Sequence, residues 1–166
     1  AAVVASGSGI AGRFADALSA SPVAFRLKAP VFLVDDAGNL PDKTASVLLD
    51  SNISQAIIAG GTVVVSEYTE GFMQAVTVRA SGASNVERCW GDSGYETSAE
   101  LAKWAVNQGI LTWDNAAVST DIAPYDALAG SVLQGKRGAV LLLADRGADD
   151  NFGLLADNGV SHMTYF

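Results

Sequence analysis

The chain has little of what most enzyme sites are built from. Among 166 residues there is one cysteine, Cys89, and one histidine, His162. A single cysteine excludes an intrachain disulfide and argues against a cysteine-based metal site. No histidine neighbours Cys89 in sequence, and His162 falls in a predicted strand, so a Cys–His nucleophile is not expected. Ser6, Ser8 and Ser66 lack the Gly-x-Ser-x-Gly setting of a nucleophile elbow. The expectation is a non-catalytic protein with no cofactor and no metal. Basic residues are scarce too, 10 against 18 acidic ones, giving a net charge of −8 and a pI near 4.4. They are scattered, and a phosphate backbone repels such a surface, so nucleic acid is not an expected partner. No apolar run approaches the roughly 20 residues that cross a bilayer, so no membrane insertion is expected. No charged n-region followed by an apolar h-region opens the sequence, so no secretion signal is read there.

What is present is apolar. Hydrophobic residues make up 49% and mean hydropathy is +0.26, enough for the core of one medium domain or two small ones. Residues 14–35 read as a helix that starts at an acidic residue and feeds a short buried strand. A related copy runs over 125–145. Asp16-Ala17-Leu18 matches Asp126-Ala127-Leu128, and Asp35 matches Asp145, at a constant spacing of 110 residues. An internal repeat at fixed spacing has to be recognised before a fold is assigned.

The remaining pattern alternates strands and helices. Strands are expected over 1–6, 30–34, 53–59, 76–79, 116–119 and 139–143. Helices are expected from Asp16, over 41–50 and 67–75, from Tyr95, near Asp126 and over 152–156. Pro22 either kinks the first helix or follows a fresh start capped by Ser21. Residues 81–94 are polar and glycine-containing and read as a loop. Residues 160–166 look like 53–59. Unbroken apolar strands separated by helices over short connections give an α/β class with a mostly parallel sheet flanked by helices.

One local motif points elsewhere. Gly7-Ser8-Gly9-Ile10-Ala11-Gly12 follows a strand and precedes a helix, and Asp35 ends the next strand. This is the dinucleotide-binding pattern, in which glycines admit a pyrophosphate and the acid holds a ribose. The alternative function is therefore a small dinucleotide- or flavin-binding α/β enzyme using Gly7, Gly9 and Gly12. The corresponding loop of the second copy, residues 120–124, has no glycine.

The order of motifs over nearly the whole chain resembles the cell wall binding repeat 2 family of Gram-positive surface proteins. The residues that carry it are Phe14 to Ala24 with Asp16-Ala17-Leu18, Ala29-Pro30-Val31-Phe32-Leu33-Val34, and Leu40-Pro41. They continue with Ile57 to Ser66 including Gly60-Gly61, Val78-Arg79-Ala80-Ser81-Gly82, and Tyr95-Glu96-Thr97-Ser98. The resemblance implies Toprim-like or flavodoxin-like repeat units that act in sets. Together they hold a protein non-covalently to an anionic secondary polymer of the cell wall, outside the cell. On that pattern, 1–78 is the body of a first repeat lacking its Arg-x-x-Gly opening, and 79–166 is a second repeat ending before its Gly-Gly turn. A longer parent or a self-associating chain is expected, with other repeats as partners.

The same resemblance places polymer contacts in the aliphatic run after the proline, Val31, Phe32 and Leu33, and in its second copy, Leu141, Leu142 and Leu143. Asp16 and Asp126 stand at equivalent helix starts, where they either cap the helix or touch a ligand. Arg79 either pairs with such an aspartate or meets an anionic group. Tyr95 and Thr97 open a helix, with Thr97 a candidate cap. Where the family has an arginine before this tyrosine the chain has Gly94, after an interval of about a dozen residues from Gly82. Arg88 is the arginine near enough to substitute. Of the tryptophans, Trp90 in its polar loop is better placed to stack on a sugar than Trp104, which reads as helix packing.

Overall fold

A computed structural model describes residues 1–8, 14–120, 125–145 and 149–166. Gly9 and Gly12 of the dinucleotide motif, and most of its counterpart loop (121–124), lie outside the described residues. The elements alternate in order: β1 (Ala2–Ser6), α1 (Ala15–Leu27), β2 (Val31–Val34), α2 (Asp42–Leu49), β3 (Ala56–Ala59), α3 (Glu67–Ser81) and β4 (Val86–Cys89). They continue with α4 (Gly94–Asn107), β5 (Thr112–Ser119), α5 (Tyr125–Arg137), β6 (Ala139–Leu143), α6 (Asp149–Asp157) and β7 (Thr164–Tyr165). The class is α/β, and every strand pair is parallel.

Two sheets form, ordered β2-β1-β3-β4 and β6-β5-β7. The repeat is visible in their registers. Val3 and Val4 pair with Ile57 and Ile58, and Ala117 and Val118 pair with Thr164 and Tyr165 in the same way. Residues 160–166 thus occupy the place that 53–59 hold in the first copy. The repeat extends to backbone conformation. Lys28 ends α1 in the left-handed region at φ 52, and Gly138, 110 residues later, ends α5 at φ 69.

Side chains alternate across the first sheet because successive strand residues face opposite ways. Ala2, Val4, Ala56 and Ile58 pack with Leu48 of α2 and with Met73 and Val76 of α3. Val3, Ala5, Ile57 and Cys89 face α1 and α4, in a core that continues to Val118, Val140 and Leu142 of the second sheet. The two sheets are therefore joined through one apolar interior. A close approach of α1 and α5 reinforces the joint: a Cβ on Gly135 would lie 2.7 Å from Phe25 Cβ.

Two local expectations are corrected, and the choice left open at Pro22 is decided. Residues 76–79 are not a strand but the last turns of α3. That helix starts at the Ser66 cap, whose Oγ accepts from Thr69 N at 3.1 Å, and ends at Gly82 in the left-handed region. The polar stretch 81–94 is not all loop, because Val86–Cys89 pairs with β3 as an edge strand. An edge strand with one face on an ion pair tolerates the charged residues that made it read as loop. Helix α1 runs through Pro22 without a fresh start; the Ser21 hydroxyl donates back to Ala17 O at 2.8 Å rather than capping.

Candidate functional site

In a parallel sheet, helix N-termini return to the carboxyl ends of the strands. α/β proteins gather ligands at that edge. Here the edge of the first sheet assembles Asp16 in the first turn of α1, the Gly60-Gly61 turn after β3, Arg88 of β4, and Tyr95 and Thr97 of α4.

The Gly60 turn is the hub. Gly60 has φ +117, and a Cβ there would lie 3.0 Å from Asp16 Oδ2 and 2.5 Å from Val64 Cγ2. The buried Asp16 carboxylate reaches the turn from the α1 face. Arg88 reaches it from the other face: Nη1 donates to Gly60 O at 2.8 Å and Val65 O at 3.0 Å, and Nε donates to Glu70 Oε2 at 2.9 Å. Its Nη2 sits 2.8 Å from the same Oε2, an ion-pair contact without hydrogen-bond geometry. The Arg88 guanidinium is thus engaged in holding the turn. That role was not legible in the sequence, because Glu70 and Arg88 are 18 residues apart with an unrecognised strand between.

The start of α4 is similarly tied down. Ser93, not Thr97, is the cap, accepting from Glu96 N at 3.2 Å. The Glu96 carboxylate returns to accept from Asp92 N. The spacing Ser93-x-x-Glu96 is the sequence signal that locates this start. Thr97 is buried and accepts from Gly91 N at 3.2 Å. Tyr95 is half-buried, and its carbonyl accepts from Asn151 Nδ2 at 3.0 Å. Asn151 also donates to Leu143 O at 2.7 Å, while Ser98 Oγ accepts from Leu143 N at 3.0 Å. α4 and α6 thereby brace the end of β6.

Other expected site residues are placed apart. Arg79 is exposed in the last turn of α3, at the opposite edge of the sheet from Asp16. Asp126 is exposed in the first turn of α5, unlike its buried counterpart Asp16. Val31 and Leu33 are 36% and 49% exposed on β2, with Phe32 between them packed on the α2–α3 side. Leu141, Leu142 and Leu143 are buried, at 2% exposure or less. Asp35, the expected ribose acid, turns its Oδ1 to its own loop, accepting from Ala37 N at 3.0 Å and Asn39 N at 2.9 Å.

The carboxyl edge of the second sheet bounds a cleft of about 350 Å³ lined by Ser119, Asp145, Phe152 and Tyr165. Ser119 Oγ is buried there without a hydrogen-bond partner among the described residues. Among the described residues, no group of three His, Cys, Asp or Glu side chains could hold a metal ion. No helix among them is long and apolar enough to cross a membrane.

Comparison with known proteins fits this architecture. The family model for cell wall binding domain 2 matches residues 1–70 and 88–162. Over 102 residues, 61% of this chain, the sequence is 34% identical to the N-acetylmuramoyl-L-alanine amidase LytC of Bacillus subtilis, of which that stretch is 18%. Among solved structures, Cwp6 from Clostridium difficile superposes on 99% of the chain with a TM-score of 0.77 and 25% identity. Cwp8 from the same organism superposes on 90%, with a TM-score of 0.65 and 25% identity. The chain spans 24% of each of these two. The match takes in β1, β2, β3, β5 and β6 whole, and the chain belongs to the cell wall binding domain 2 family: it is a cell-wall-binding module.

Proposed function

We propose that the module is non-catalytic and anchors a larger surface protein by gripping an anionic secondary polymer of the wall. The family match across both sheets carries this reading. The exposed aliphatic pair Val31 and Leu33 on β2, Asp16, Tyr95 and Thr97 at the carboxyl edge of the first sheet, and Arg79 and Asp126 on open surface supply the candidate contacts. Arg88 contributes by holding the Gly60 turn in shape. The division into two copies near residue 79 belongs to the same proposal.

The counterparts of Val31 and Leu33 suggest a second partner. Leu141 is sealed against Leu18 of α1, contributed by the other copy. A further repeat, in the same parent or in a second chain, supplies the equivalent helix over Val31 and Leu33. Several weak sites then add through effective concentration.

The test is a pull-down with Gram-positive sacculi, before and after the secondary polymers are stripped. Retention that disappears with the polymer is the expected result. Equal retention on both preparations would point to peptidoglycan instead, and no retention on either would sink the reading for this chain.

A further inference from the structure

The net charge of −8 poses a problem for a polyanion binder, and one groove far from the Val31 strand answers it. Between β4 and α4 lies a groove of about 390 Å³ holding Trp90, Trp104, Glu87, Glu100, Lys103 and Asn107. The α4 residues are spaced i, i+3, i+4 and i+7, which places them on one helical face. Glu87 is two residues from Cys89 on the strand and shares its face.

The two indoles are presented differently. Trp104 is half-buried and packs on the shared core. Trp90 is 53% exposed and rests on Gly61, where a Cβ would lie 3.4 Å from Trp90 Cε3. A flat backbone seat beneath one part of the ring leaves much of the rest to solvent. Large exposed aromatic surface beside convergent polar groups marks a recognition site rather than a packing accident.

The polar groups define what fits. Glu87 and Glu100 accept hydrogen bonds, Asn107 both donates and accepts, and Lys103 reaches Glu100 at 2.8 Å. Arg88 turns its guanidinium to the opposite face of the sheet, so it adds no anion-binding fork here. The charge balance in the groove is negative. Cys89 at its floor reports the same field: burial first, then the Glu87 and Glu100 carboxylates, push its thiol up to about 12. This environment disfavours a phosphate or carboxylate ligand and suits hydroxyls or an ammonium group.

We propose that the Trp90–Trp104 groove binds a neutral or amino-bearing pyranose unit, its apolar face on the indoles and its hydroxyl or ammonium groups on Glu87, Glu100 and Asn107. The inference deepens the wall-binding reading and rests on it for the expectation that the natural ligand is a saccharide chain. It divides the labour: the groove reads the sugars of a polymer, not its anionic groups.

The probes are the β-1,4 tetramer of glucosamine, its N-acetylated form, and tetragalacturonic acid as the anionic control. Binding is followed by the indole N–H signals, with Trp113 as an internal reference outside the groove. The expected result is movement of the Trp90 and Trp104 signals with the first two sugars and not with the third. Trp90→Ala should weaken the affinity by about tenfold, while Trp90→Phe, which keeps an aromatic face, largely preserves it. No movement with either amino sugar, equal movement with the anionic tetramer, or unchanged affinity in Trp90→Ala would overturn the groove. Sacculi binding by a chain that ignores all three tetramers would overturn it too, while leaving the wall reading intact. Tetramer binding without sacculi binding would uphold the groove and remove the wall reading.

Discussion

The strands after Pro30 and after Ala139 are copies of one pattern, yet one is open and the other closed. Val31 and Leu33 are 36% and 49% exposed, whereas Leu141 and Leu143 are at or below 2%. Both strands sit at the edge of their sheets beside a central strand. The difference comes from neighbours. α1 packs on α5 and also reaches β6, bringing Leu18 onto Leu141, while among the described residues no helix of the second copy packs on β2 to that extent. A contact made by α1 on β6 and not returned on β2 leaves one face of the first sheet unmatched. A sequence repeat therefore predicts backbone and register better than it predicts burial.

The comparison is broken most forcefully at the closed strand. Leu143→Ala empties a fully buried site, the counterpart of Leu33, and should cost about 2–5 kcal/mol. Leu33→Ala should cost about 1 kcal/mol or less, since half of its surface is already in water. Denaturant melts of the two variants, side by side, check this. Equal losses would mean that β2 is covered in solution.

The Gly60 hub comes next. Arg88→Met removes one member of a largely buried pair and orphans Gly60 O, Val65 O and Glu70. The expected loss is about 2–4 kcal/mol, read by thermal unfolding. Loss of the turn should also disturb Asp16 but not its exposed counterpart Asp126. Asp16→Asn should thus shift stability more than Asp126→Asn.

A smaller contrast lies at the matched helix ends. Lys28 and Gly138 share a left-handed conformation that costs a side-chain-bearing residue about 1 kcal/mol. Gly138→Lys should destabilise by about that amount, and Lys28→Gly should be neutral or mildly stabilising. A loss of stability in both variants would show that the two ends are not equivalent.

The smallest effect is set by pH at the β4 edge. Folding raises the Cys89 thiol from 9.0 to about 12. The neutral form is favoured by the fold, so this contribution is fully present below pH 9 and fades as pH rises toward 12. Between those limits the wild type should lose stability faster than Cys89→Ala. In native protein at pH 8, thiol reagents should react slowly, because the thiolate is scarce and the side chain is only 4% exposed.

Long apolar runs were legible in the sequence: β1, β2, β3 and β6 were located, and with them the parallel α/β class. The 110-residue spacing went further, since it holds at Lys28 and Gly138, where the residues differ but the backbone agrees. What failed were segments whose pattern serves two masters. Val76 and Val78 look like strand residues, but the Ser66 cap and the Gly82 terminus make them helix. Glu87 and Arg88 look like loop residues, because the ion pair and groove that employ them come from α3 and α4. At the candidate site, the sequence singled out Asp16 and the aliphatic runs. It could not tell open from closed, which depends on a helix about 120 residues away, nor bring Trp90 and Trp104 together across the β4–α4 connection.

The place of β1 has a mechanical consequence. It lies between β2 and β3, with four registered residue pairs on each side. A tether is loaded by tension, and a pull entering at Ala2 and directed along the strand stresses both ladders at once. Hydrogen bonds strained in parallel yield together, whereas those at a peeled edge yield one at a time. A load entering there meets the first sheet in its stiffer direction.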